Sequence, residues 1–100
     1  HEWASVQHYQ DIHDFLDKNK SRRILPCSTK ANKTYTECKY QQDDILLFGP
    51  ETRGLPIEII HAHESIRIPM RPESRSLNLS NAVAIVLFEA WRQLDFEESN

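Results

Sequence analysis

The chain of 100 residues predicts one α/β domain built on a largely parallel sheet. Three observations predict it. Apolar runs of strand length alternate with helical patterns along the chain. Ile45 to Phe48 is a continuous apolar run, as in a parallel-sheet strand buried on both faces. Asn81 to Leu94 has the apolar spacing of a long helix, with Ser80 placed to cap it.

Taken in order, Trp3 to Val6 is a short strand. Residues 8–19 form a surface helix, because Tyr9, Ile12, Phe15 and Leu16 are spaced to share one face. Asp11 and Asp14 come early in it, and Lys18 and Lys20 late, which suits the helix dipole. Arg23 to Ser28 is a strand with a flaw: Pro26 lacks a backbone donor, so the strand is expected at a sheet edge or a bulge. Lys30 to Gln42 is polar and irregular. Pro56 belongs in the first turn of a helix that runs to about His61. Ser65 to Met70 is a strand, and Arg71 to Leu79 a polar loop. The last helix carries one apolar stripe of Val83, Leu87, Ala90 and Leu94, and a second of Ile85, Phe88 and Trp91. The second stripe is either buried in the chain's own core or offered to another subunit.

Composition narrows the function classes. An apolar fraction of 39% is that of a globular protein. No run is long enough to cross a membrane, and no signal-peptide pattern opens the chain. Cys27 and Cys38 are too few for a disulfide framework and are read as reduced thiols of a cytoplasmic protein. Net charge is −3, but basic residues gather at Lys18 to Arg23, Lys30 to Lys39 and Arg67 to Arg75. Such patches suit phosphate, and equally a mixed solvated surface. GxGxxG, P-loop and CxxC patterns are absent, and nothing sets out a Ser-His-Asp triad. His61-Ala62-His63 lacks carboxylate or Cys partners at ligand spacing, so it is read as a helix end with exposed imidazoles and no metal is expected.

Two loops stand out. "LLFGPETRGLP", residues 46–56, ends the apolar strand and holds both glycines of the chain, Gly49 and Gly54. "SRSLNLSNA", residues 74–82, carries three Ser, two Asn and Arg75 before the long helix. Each is a polar turn or a binding loop. Both fall beyond carboxyl ends of parallel strands, where ligands of such sheets bind.

These two stretches, with "IRIPM" between them and "VAIVLFEAWRQL" after, resemble the second and third motifs of the SPOUT superfamily of RNA methyltransferases. The likeness is closest to the TrmL (YibK) branch, tRNA 2′-O-methyltransferases of the wobble nucleotide, cytidine or uridine. It runs from His1 to about Leu94 and is looser over the first forty-odd residues. The resemblance implies a parallel α/β sheet with a C-terminal trefoil knot, one of the rare knotted folds. It implies S-adenosylmethionine as cofactor, with contacts on Cys27, Gly49, Ile68, Met70, Ser76 and Leu77 and main chain near Leu79. Gly49 would give room for the adenosine. Glu51, Ser76, Asn78 and Asn81 fall beside the reaction centre, with Glu51, Ser76 and Asn78 in supporting catalytic roles. On this reading Arg53, Arg75 and Lys30 contact tRNA, and the C-terminal helix forms a homodimer, which gives the second stripe a use.

The chain also departs from that pattern. The family's N-x-x-G-N-x-x-R segment, whose Arg is given the general-base role, is missing and is expected upstream of His1. The 100 residues are thus read as the C-terminal part of one methyltransferase domain, inactive alone and at best a weak cofactor binder. Pro26 and Cys27 stand where the family prefers Ala and Leu, Phe88 where close relatives have Tyr, and the Leu55 to Ile66 segment is shorter. The alternative is a non-catalytic knotted module that holds nucleotide or RNA.

Overall fold

The computed structural model describes residues 2–6, 9–50, 54–70 and 79–97. Among the described residues, five strands and three helices follow in order: β1 (Glu2–Ser5), α1 (Tyr9–Lys18), β2 (Ile24–Cys27), β3 (Lys33–Thr34), β4 (Ile45–Phe48), α2 (Ile57–Ala62), β5 (Ile66–Arg67) and α3 (Leu79–Gln93). They make one sheet of order β1-β4-β2-β5-β3 in which every pairing is parallel. The α/β architecture is thus the one the sequence predicts.

Successive side chains of a strand point to opposite faces, and β4 divides its apolar run accordingly. Ile45 and Leu47 join Val6, Ile12, Ile24, Ile59 and Ile60 in a core beneath α1 and α2. Leu46 and Phe48 join Leu25, Ile66, Val83, Val86 and Ala90 in a core beneath α3. All four β4 residues are buried, as a continuous apolar run requires.

Pro26 corrects the sequence reading. Its strand lies inside the sheet, between β4 and β5, with Pro26 opposite Leu47. The expectation of an edge fails because β5 starts late. Ser28 N donates to Ile66 O at 2.9 Å, so the N–H groups of even-numbered residues face β5. β5 begins at Ile66, level with Cys27, so on that side of Pro26 there is no strand to pair.

Other boundaries shift too. α3 begins at Leu79, so Ser80 lies within its first turn and is not the cap; Asn78, which precedes the helix, lies outside the described residues. Pro56 occupies the N-cap of α2, one place before the first turn, and its carbonyl accepts from Ile59 N and Ile60 N. The polar stretch after Lys30 contains β3, a two-residue charged edge strand that pairs with β5. The buried face of α3 is Val83, Val86 and Ala90, with Leu87 at its margin.

The amino ends of the strands are tied by charge. Arg23, just before β2, grips Asp44, just before β4, through Nε to Oδ1 at 2.9 Å and Nη2 to Oδ2 at 2.7 Å. Its Nη1 reaches Glu64, before β5, at 3.1 Å, and Lys33 Nζ meets the other Glu64 oxygen at 3.2 Å. Asp44 is 1% exposed and also accepts from Gln41 N at 2.7 Å. A buried carboxylate held this way needs all of these donors. Gln93 does a neutral version of the task for α3: it accepts from Tyr40 N and donates to Cys38 O.

Candidate functional site

The opposite, carboxyl ends of the strands build the candidate site. β2 and β4 end in register, Cys27 beside Phe48. Because β5 starts at the level where β2 stops, its continuation through Ile68 to Met70 runs on past those ends. The first turn of α3 brings Ala82 up to them. The result is a pocket of about 140 Å³ lined by Cys27, Ser28, Phe48, Ile68, Met70 and Ala82, with Thr29 beside them. Its walls are aliphatic, aromatic and thiol, and its polar groups are two hydroxyls. The Ser28 hydroxyl accepts from Lys30 N at 3.1 Å. This composition suits a ligand with a flat apolar ring and a hydroxyl-rich remainder, such as a nucleoside.

Cys27 is a wall and not a nucleophile. Burial pushes its thiol pKa up, and the neighbouring Cys38 pushes it further, so the thiol stays protonated at neutral pH. The same burial, with Glu64 hydrogen-bonded nearby, raises Cys38 to about 12. Cys27 Sγ donates to Leu25 O at 3.6 Å.

Gly49 follows Phe48 directly, and its absent side chain has a packing reason. A Cβ there would lie 2.7 Å from both Gly54 C and Leu55 N, and 2.9 Å from Leu55 Cγ. Gly49 leaves room for the chain itself to approach. Gly54 N donates to Pro50 O at 2.7 Å, which holds the two ends of the loop together. Gly54 sits at φ +71°, a left-handed conformation that favours glycine. The two glycines together let the loop fold back on the end of β4.

Of the expected cofactor residues, Cys27, Ile68 and Met70 are brought together in the pocket. Lys30 is exposed just past Ser28. Asn81 is exposed in the first turn of α3, and Leu79 packs against the core under that helix. Glu51, Arg53, Arg75, Ser76, Leu77 and Asn78 lie outside the described residues. Sequence reasoning missed Ser28, Phe48 and Ala82. Their signals were slight: a hydroxyl just past a strand end, the last residue of an apolar run, and a small residue one turn into a helix.

A second surface lies on the outer side of α3. Phe88 is 61% exposed and its ring centre is 5.8 Å from that of Trp91. Trp91 meets Phe96 edge to face at 5.0 Å, and its Nε1 donates to Glu97 O at 2.8 Å. The second stripe is therefore not buried in the core of the described chain. Among the described residues no helix is long and apolar enough to cross a membrane, and no group of three His, Cys, Asp or Glu is placed to hold a metal ion.

The model of the SpoU rRNA Methylase family matches residues 1–88. The chain belongs to this family. A tRNA (cytidine(34)-2′-O)-methyltransferase of Yersinia pestis is 46% identical over 104 residues, covering 96% of this chain and 64% of that protein. A solved structure described as giving insight into 2-OH methylation of C/U34 on tRNA superposes with a TM-score of 0.76 at 37% identity, over 86% of this chain and 57% of its own. An AdoMet-bound rRNA methyltransferase from Sinorhizobium meliloti superposes with a TM-score of 0.70 at 31% identity, over 82% of this chain and 33% of its own. The chain thus spans less than two thirds of these relatives' length.

Proposed function

We propose that this SpoU-family chain serves an S-adenosylmethionine-dependent transfer of methyl to the ribose 2′-hydroxyl of the wobble nucleotide of tRNA, cytidine or uridine 34. The relatives named for that reaction support the substrate, and the AdoMet-bound neighbour supports the cofactor. The observation that carries the reading is the pocket at the strand ends, where Cys27, Ile68 and Met70 line one cavity.

The residues present fit the cofactor. Phe48, Ile68, Met70 and Ala82 offer apolar walls to an adenine ring, and Ser28 and Thr29 offer hydroxyls at its rim. Bound there, S-adenosylmethionine supplies a methyl group already activated by its sulfonium. The protein's work is then to position and to exclude water. A ribose hydroxyl is a poor nucleophile, so it must be held in line with that methyl and lose its proton as the bond forms. We assign Ser76, Leu77 and the Gly49 main chain to the cofactor, and Glu51, Ser76 and Asn78 to the support of the reacting groups. Arg53, Arg75 and Lys30 are assigned to tRNA phosphates.

The outer face of α3, with Ile85, Phe88 and Trp91, is assigned to a second copy of the chain in a homodimer. The knotted C-terminal arrangement of the family, a single methyltransferase domain and a cytoplasmic setting complete the reading. Incubating the full-length protein with unmodified tRNA and methyl-labelled S-adenosylmethionine tests it. Label in the 2′-O-methyl of nucleotide 34 is expected. Binding of the cofactor without any transfer to tRNA would replace the enzyme by a holding module.

A further inference from the structure

We propose that a second groove, at the end of α2, seats a backbone phosphate of the RNA strand. The groove, of about 280 Å³, runs between the loop after β2 and the end of α2, and is lined by Lys30, Lys33, His61, His63, Glu64 and Ser65. It rests on the reading of RNA as substrate and adds a place for its backbone.

The charges favour an anion. Lys30 and His61 are exposed, and neither side chain has a hydrogen bond or ion pair among the described residues. Glu64 is the one anion in the lining, and both its oxygens are taken: one by Arg23 at 3.1 Å, the other by Lys33 at 3.2 Å. With Asp44 set against Arg23, the cluster still holds one more formal cation than anions before either imidazole is counted. That local excess lies in a chain whose net charge is −3. His63 Nδ1 lies 2.9 Å from Ile59 O, so that nitrogen keeps its proton and the ring is held in place.

The groove has no exposed large apolar side chain, so a protein segment would find no anchor there. The groove is joined to the pocket wall by the chain itself. Lys30 stands two residues after Ser28 of the pocket wall, and the Ala31 N to Ser28 O bond of 3.2 Å holds that loop as a tight turn.

The test compares the full-length protein with its His61→Glu and Lys30→Glu variants in tRNA binding across a range of salt, followed by fluorescence anisotropy. Each charge reversal is expected to lower affinity about threefold to tenfold and to make the slope of log K against log salt shallower by about one. S-adenosylhomocysteine affinity and the melting temperature are expected to stay unchanged, since both side chains are exposed; His61→Ala serves if the reversal disturbs folding. Unchanged tRNA affinity and slope in the His61 variants, while the unaltered protein binds tRNA, would overturn the groove and leave the substrate reading standing. Failure of the unaltered protein to bind tRNA would overturn both.

Discussion

Gly49 and Gly54 do different work, and substitution should separate them. A Cβ at Gly49 collides with backbone that cannot yield without moving the loop. At Gly54 nothing lies within 4 Å, and only the left-handed φ is at stake. Gly49→Ala is expected to cost about 3 kcal/mol through overpacking, and Gly54→Ala about 1 kcal/mol. Urea unfolding of the two variants checks this; equal costs, or the reverse order, would refute the account. The sequence marked Gly49 as a place of close approach. Family likeness named adenosine there; the approach of Leu55 was not legible, because residue types alone do not fix how the chain returns to Gly49.

Glu64 is a second residue-scale case. Partial burial works against its charge, but hydrogen bonds from Lys33 and Cys38, with the charges of Lys33 and Arg23, prevail and hold its pKa below the usual carboxylate range. A group with a depressed folded pKa stabilises the fold above its unfolded value, about 4.3 for Glu, and loses that contribution as pH falls through the folded value. Glu64→Gln should therefore melt lower at pH 7 and show a shallower loss of melting temperature below about pH 4.3. Parallel acid limbs for the two proteins would show that Glu64 carries no such linkage. Asp44, buried with both oxygens engaged, is the heavier member: Asp44→Ala leaves Arg23 without its main partner and is expected to cost about 3 kcal/mol. None of this network was legible in the sequence, where Arg23 closed a basic patch and nothing linked it to Asp44 or Glu64. The sheet pairing is what gathers them.

At the scale of elements, strong periodicity was legible and weak context was not. The continuous run of β4, the amphipathic α1 and the long α3 all stand within a few residues of where the pattern puts them. Pro26 misled because its consequence depends on where a neighbouring strand begins, and β5 begins late. β3 escaped notice because two charged-to-polar residues make no pattern; it exists through pairing with β5. On α3 the sequence separated an inner from an outer stripe, and Phe88, 61% exposed, marks the outer one. With that face assigned to a second copy, Phe88→Glu should weaken self-association at least about tenfold, as burial of a charge at a hot spot would, while far-UV dichroism stays native. Sedimentation across a concentration series measures this. An unchanged association constant would remove α3 from the interface.

For the whole molecule, the charged amino ends of the strands fasten the sheet and leave the carboxyl ends free to build a pocket, the usual division in parallel α/β folds. Of the two loops read from sequence as binding candidates, Phe48 and Ala82 line that pocket. Cys27, Ile68 and Met70 were legible as pocket residues through family likeness, whereas Ala82 and Phe48 were not, because only the packing of α3 over β4 turns them inward. Ala82 offers the most direct test. Calorimetric titration of the full-length protein with S-adenosylhomocysteine should show Ala82→Leu weakening the cofactor product at least about tenfold, since the added carbons fill the cavity proposed for the adenine. The melting temperature of the unliganded variant should stay close to that of the unaltered protein. Full affinity in Ala82→Leu would contradict the placement of the cofactor in this pocket.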